Sequence, residues 1–235
     1  MGNFSVKNLL KKLKADSKST TYMLIYACVL VWAIEIILYV FSKDSYQLFI
    51  ENTAFVPSLA FKTSWTWFTS MFVHSISIEH IFFNMLCLYS LGLELERFFG
   101  RLKFFFLYAL CGLGGSAATI LYCSITNDWN MAAYGASGAI MGLIGALLVA
   151  QWKLGQNIKG TLIWIAITLA LPIIIPRIAW QAHLGGLVVG IVLSMLLVTH
   201  NPILKNCSFN KRFTIYSSAL LIILLAISML CLFVF

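Results

Sequence analysis

The chain has 235 residues, of which 61% are hydrophobic and only 10% charged, with a mean hydropathy of +0.92. A soluble domain carries roughly 25% charged residues, so the composition excludes a water-soluble globular protein and points to an all-α, polytopic membrane helical bundle. The net charge of +8 does not call for a nucleic-acid partner, because the placement of the basic residues accounts for it.

In chain order, a basic leader with Lys7, Lys11, Lys12, Lys14 and Lys18 precedes a first apolar segment at 22–41. The two together resemble a signal peptide, but no small-residue cleavage site follows, so the segment reads as an uncleaved anchor. Further helix-length apolar segments fall at 78–98, 104–123, 136–152, 161–175, 179–198 and 213–235. Each approaches or reaches the ~20 residues needed to cross hydrocarbon, which predicts seven spans. The organisation expected is a basic cytoplasmic segment (1–21), a six-helix core (22–199), and a cytoplasmic loop with a seventh transmembrane helix (200–235).

Charge sets the orientation. Besides the leader, Arg97, Arg101, Lys103, Lys153, Lys159, Lys205, Lys211 and Arg212 fall on the same side of this alternation, leaving Lys43, Lys62 and Arg177 on the other. That bias places the N-terminus in the cytoplasm and the C-terminus outside. The six cysteines (Cys28, Cys87, Cys111, Cys123, Cys207, Cys231) form no CxxC pair and read as small buried hydrophobes.

Gly135-Ala136-Ser137-Gly138 opens the fourth span and Ala182-His183-Leu184-Gly185-Gly186 opens the sixth. With the predicted topology both lie within one or two turns of the outer surface. Ionisable groups at membrane depth are costly, so an intramembrane histidine is a functional candidate by default. A serine alone in such a helix more often bonds its own backbone or packs as a small residue. The matched depth favours a pair: Ser137 as nucleophile and His183 as general base. Gly138, Gly142 and Gly145 on one span, and Gly186 and Gly190 on the face of His183, would let the two backbones approach closely. No acidic residue stands beside these two helix ends, although Asp128 in the preceding loop stays open as a third member; the reading is a Ser–His dyad.

His80 and Asn84 open the second span at i, i+4, on one face. As donors they would form an oxyanion hole with the backbone N–H of Ser137; the plain alternative is that they tie helices together. A zinc site of His74, His80 and His183 is disfavoured, as there is no HExxH and no acidic partner.

These motifs together resemble the rhomboid family of intramembrane serine proteases, over about residues 65–198. They are Trp65 to Thr69 with Phe72 and His74 in the first outer loop, His80 and Asn84, Glu96-Arg97 with Gly100, the Gly135–Gly138 run, and Ala182–Gly186. The resemblance implies a six-helix core plus one C-terminal span. It implies a serine endopeptidase cleaving single-span membrane proteins near the outer face, with Ser137 and His183 as catalytic residues. His80, Asn84 and the Ser137 amide would form the oxyanion hole. The implied setting is the lipid bilayer of a bacterial plasma membrane, with no metal, nucleotide or other cofactor; nothing in the sequence signals an oligomeric state. Three departures stand out. Met141 replaces the aromatic residue usual four places after the serine, Thr66 replaces the arginine that commonly follows the loop tryptophan, and the stretch from His74 to His80 is one residue longer.

Glu35, alone in the first span, reads as a structural carboxyl that is protonated, paired with another helix or facing a water-filled cavity, with substrate handling as the lesser alternative. Glu94 and Glu96 beside Arg97 read as a helix-end ion network. The first alternative function is a non-catalytic rhomboid-like protein that binds or escorts membrane clients. The second, a small-solute transporter or channel, lacks support from internal repeats.

Overall fold

Among the described residues ten helical elements follow from the apolar pattern and from the turn chemistry between runs. The computed structural model describes residues 18–174 and 178–234. The leader lysines Lys7, Lys11, Lys12 and Lys14, and also Ile175, Arg177 and Phe235, lie outside the described residues. The α-helices are α1 (Thr20–Phe41), α2 (Lys43–Thr53), α3 (Thr66–Thr69), α4 (Ile78–Phe99), α5 (Arg101–Thr126), α6 (Ser137–Lys153), α7 (Lys159–Ile174), α8 (Trp180–Val198) and α9 (Phe209–Val234). A 3₁₀ turn at Pro57–Leu59 completes the set.

The helices α1, α4, α5, α8 and α9 are long and apolar enough to cross a bilayer. α6 and α7, with 17 and 16 residues, are shorter apolar helices at the predicted fourth and fifth spans. The protein is a polytopic helical membrane bundle. Its centre is α5, 67% of whose spanning window is buried, against 17% for α1 and for α9. α8 packs most closely on α6 and then on α5, while α9 lies against α5 and α8. Gly100 adopts φ +77, a conformation that costs a glycine little, and this reverses the chain between α4 and α5 in one residue.

The axes of α8, α6 and α5 approach within backbone contact. A Cβ added at Gly186 would overlap the carbonyl oxygen of Gly138, and one at Gly190 would overlap that of Gly142. On the other side of α8, a Cβ at Gly185 would overlap the Gly114 carbonyl oxygen. Small residues permit such approach where lipid offers no hydrophobic drive for helix association.

One end of the bundle collects the basic residues: Arg97 and Arg101 flank Ser19, and Lys153 shares a small cavity with Phe98, Leu197 and Phe209. Arg212 donates to the Leu197 carbonyl there. Glu96 departs from the expected ion network. Its oxygens accept from the Ser19 hydroxyl (2.8 Å), the Thr20 and Thr21 amides (2.8 and 2.9 Å) and the Thr21 hydroxyl (2.7 Å). It therefore caps the positive N-terminus of α1. Among the described residues its ion pair is with Arg101 rather than Arg97, at 4.0 Å, and the arginine is half exposed.

The segment between α1 and α4 is more ordered than its polarity suggests. Phe55 and Ala133 form an antiparallel bridge, joining this loop to the one before α6. The Trp65 indole N–H donates to the Asn52 carbonyl (2.8 Å), and that of Trp67 donates to the Ala60 carbonyl (3.1 Å). Thr66, in place of an arginine, is fully buried, and its hydroxyl donates to the Thr63 carbonyl at 2.7 Å. Its own indoles and hydroxyls thus help to hold the loop where Thr66 stands in place of an arginine. All six cysteines are free thiols, four of them buried and Cys87 and Cys207 half-buried.

Candidate active site

Ser137 is the first residue of α6, and His183 lies in the first turn of α8. The glycine contacts just described hold these two helix starts together, and Ser137 Oγ and His183 Nε2 lie 2.8 Å apart. A hydroxyl at this distance can pass its proton to the imidazole. For that bond Nε2 must accept, which puts the ring proton on Nδ1. His183 Nδ1 is buried and has no hydrogen-bond partner among the described residues; Asp128 is not against it. Met141, one turn beyond Ser137, is buried in the main core.

The backbone N–H groups of Ser137, Gly138 and Ala139 open α6 and have no acceptor within their own helix. Gly135 is at φ +117, a region L side chains rarely adopt, and its N–H donates to the Ser70 carbonyl at 2.9 Å. This turn brings another ring alongside. A Cβ on Gly135 would stand 3.2 Å from His80 Nε2 and 3.7 Å from Ser137 Oγ. His80 therefore presents Nε2 to the same small space as the serine.

The state of His80 can be read from its far side. The Ser75 backbone N–H donates to His80 Nδ1 at 3.2 Å, and the Ser75 hydroxyl lies 3.1 Å from the same atom. A backbone N–H only donates, so Nδ1 accepts and the neutral ring carries its proton on Nε2, facing Gly135 and Ser137. Asn84, one turn along and buried, is arranged differently from an open donor pair. Its Nδ2 donates to the His80 carbonyl at 2.8 Å, leaving one N–H of the amide for other use.

His74 is fully buried, and its ring packs at 5.2 Å between centroids against His80. Its Nδ1 donates to the Phe72 carbonyl at 3.1 Å. Burial, with His80 close by, lowers its pKa to about 4, so the ring is neutral near pH 7. Among the described residues no three His, Cys, Asp or Glu side chains are grouped to hold a metal ion, so the three-histidine arrangement is not formed. Glu35 takes a partner in the loop before α4. Its carboxyl oxygens stand 3.2 and 3.3 Å from the His74 backbone nitrogen. Ser75 and Trp32 escaped the sequence reading; a Trp-x-x-Glu spacing on one helix face was the available signal.

Fold and site together define a class: a multi-pass helical membrane protein with a half-buried serine and a buried histidine joined at two helix starts. A family model described as Rhomboid domain matches residues 62–200. The chain is similar to RHOMBOID-like protein 5 of Arabidopsis thaliana, 30% identical over 140 residues that cover 57% of this chain and 44% of that protein. RHOMBOID-like protein 1 of the same plant is 33% identical over 140 residues, covering 57% and 34%. Rhomboid protease GluP of Bacillus subtilis (strain 168) is 33% identical over 171 residues, covering 71% and 31%. The chain thus spans less than half the length of each of these three relatives. It belongs to the rhomboid family.

Proposed function

We propose that this protein is an intramembrane serine endopeptidase that cleaves single-span membrane proteins near the outer membrane face through the dyad of Ser137 and His183. The observation that carries this reading is the 2.8 Å contact between Ser137 Oγ and His183 Nε2, at helix starts locked by backbone packing. Ser137 Oγ attacks the scissile carbonyl carbon while its proton passes to His183 Nε2. The oxyanion is met by the His80 Nε2–H, the Ser137 backbone N–H and the remaining amide proton of Asn84. Donors aimed at developing charge are each worth about 10²–10³ in rate. His183 then protonates the leaving nitrogen, and a water attacks the acyl-enzyme by the same route in reverse.

The substrate bond must leave its helix first, because a helical peptide bond is hydrogen-bonded and shielded. The site lies at the bundle end away from Arg97, Arg101, Lys153 and Arg212. That basic end faces the cytoplasm of a bacterium, which puts the N-terminus inside, the C-terminus outside and the site toward the outer leaflet. Residues 22–199 form the catalytic core. Residues 200–235 add a cytoplasmic loop and α9, which braces α5 and α8.

The test is cleavage by purified protein in lipid. The substrate is a single-span model protein with a small residue near its outer interface, and a fluorophosphonate probe is run alongside. Cleavage and labelling that both vanish in Ser137→Ala support the reading. A wild-type protein that neither cuts nor reacts favours the client-binding alternative.

A further inference from the structure

Two side chains on one face of α1 grip the loop that holds His80. The His74 N–H is received by the Glu35 carboxyl at 3.2 and 3.3 Å. Three residues earlier on the helix, the Trp32 indole N–H donates to the Ser75 carbonyl at 3.1 Å. Between those two anchors lies the Ser75 N–H, which donates to His80 Nδ1. Three successive peptide units are therefore fixed, the outer two by α1 and the middle one by the histidine. Glu35 is fully buried and spends both oxygens on one backbone amide. A polar group at membrane depth costs free energy unless partnered, and a leucine would satisfy the packing of a span without that cost.

We propose that Glu35 and Trp32 are positioning residues that set the tautomer and aim of His80, keeping its Nε2–H directed at the space beside Ser137. The physical need is specific to a histidine donor. A neutral imidazole offers its proton on either nitrogen, and only the Nε2–H form can donate toward the serine. The Ser75 N–H selects that form by occupying the Nδ1 lone pair, and it stays in place only while its flanking peptides are held. The first span thus acts on the chemistry without touching substrate. The kinetic part of this inference rests on the protease reading; the tautomer part does not.

The full-length protein, labelled with ¹⁵N-histidine, provides a readout independent of activity. It holds four histidines, and comparison with His80→Ala assigns the His80 signals. Wild type is expected to show His80 protonated at Nε2 and bare at Nδ1. In Glu35→Leu and in Trp32→Phe the pair of shifts moves toward a tautomer mixture, and Glu35→Gln, which keeps an acceptor oxygen, restores the wild-type pattern. In turnover of the single-span model substrate, Glu35→Leu and Trp32→Phe lower kcat by ~10-fold with KM unchanged, a fraction of the 10²–10³ expected for losing the donor itself. In a His80→Ala background the same changes cost nothing further, which a merely structural role would not produce.

Wild-type His80 in the Nδ1–H form overturns the proposal, as do losses that add in full to that of His80→Ala. Should wild type neither cut nor react with fluorophosphonate, the protease reading fails, and the tautomer spectra alone decide the clamp. If Glu35→Leu fails to fold, Trp32→Phe and Glu35→Gln carry the test.

Discussion

Substituting Gly186 by alanine probes whether backbone contact between α6 and α8 sets the distance between serine and histidine. A Cβ there overlaps the Gly138 carbonyl oxygen, and lies 2.8 Å from that carbonyl's carbon and 3.2 Å from the Cys111 carbonyl oxygen. All three obstacles are main chain and cannot rotate away. Carbon contacts settle at about 3.5–4.0 Å, so α8 must retreat from α6 by roughly 1 Å. Gly138 follows Ser137 directly, and Gly186 lies one turn beyond His183. The retreat therefore stretches the 2.8 Å Ser137–His183 contact past the roughly 3.2 Å reach of proton transfer. Misplacement of about 1 Å costs on the order of 10²-fold in rate, while overpacking costs about 1–3 kcal/mol of stability. The assay is kcat on the single-span model substrate together with the fluorophosphonate labelling rate, with thermal unfolding to show that the bundle persists. Gly160→Ala is the control, since a Cβ there meets nothing within 4 Å, and it should leave both rates unchanged. A folded Gly186→Ala protein with wild-type kcat would refute the argument that the glycines set the geometry of the pair.

His80→Ala should lower kcat by ~10²–10³, whereas Asn84→Ala should cost less, because one of its amide protons is already spent on the His80 carbonyl; steady-state kinetics ranks the two. Glu96→Ala leaves the buried amides of Thr20 and Thr21 without their acceptor, at about 1–3 kcal/mol for each group. Its unfolding midpoint should fall well below that of wild type, with Glu96→Gln between the two. Thr66→Arg places a guanidinium where the hydroxyl is fully buried, and an unpaired buried charge costs several kcal/mol. Limited proteolysis should then cut the loop between α1 and α4 faster; an unchanged rate would mean that the loop has room for the cation that Thr66 replaces.

Helix existence was legible because seven apolar runs of span length leave few alternatives, and the glycine spacing on two of them anticipated their contact. The start of α6 at Ser137 and the place of His183 in the first turn of α8 followed from the same runs. Glu96 was legible only in part: a carboxylate at a basic helix end reads as an ion-pair member, and it does pair with Arg101, but its hydrogen-bond partners lie some 75 residues earlier in the chain. Nothing local in the sequence signals that. α2 and α3 were missed because they are short and mixed in polarity, and tertiary hydrogen bonds such as Trp65 to Asn52 and Thr69 to Thr53 hold them in place. The Asn84 bond to its own helix was also hidden, since i, i+4 spacing fixes a shared face but not which donor is spent.

Burial of polar groups at membrane depth explains why the site takes this form. Each unpartnered polar group costs several kcal/mol in hydrocarbon, so such groups persist where they satisfy one another. Glu35, His74, Ser75, His80 and Asn84 do so as a chain of bonds from α1 through the loop to α4. Among the described residues, the buried polar atoms without a partner include nitrogens of two rings at the site, His74 Nε2 and His183 Nδ1. Under the proposed mechanism that opening is informative. A carboxylate against His183 Nδ1 would stabilise the imidazolium formed during attack, but it would place a further charge at depth through the whole cycle. Fixing the ring by packing against closely apposed helices orients it without that charge. The arrangement then relies on the positions of α6 and α8 to a degree that a three-membered relay does not. For that reason the glycine substitutions, more than any polar substitution outside the pair itself, should separate a folded protein from an active one.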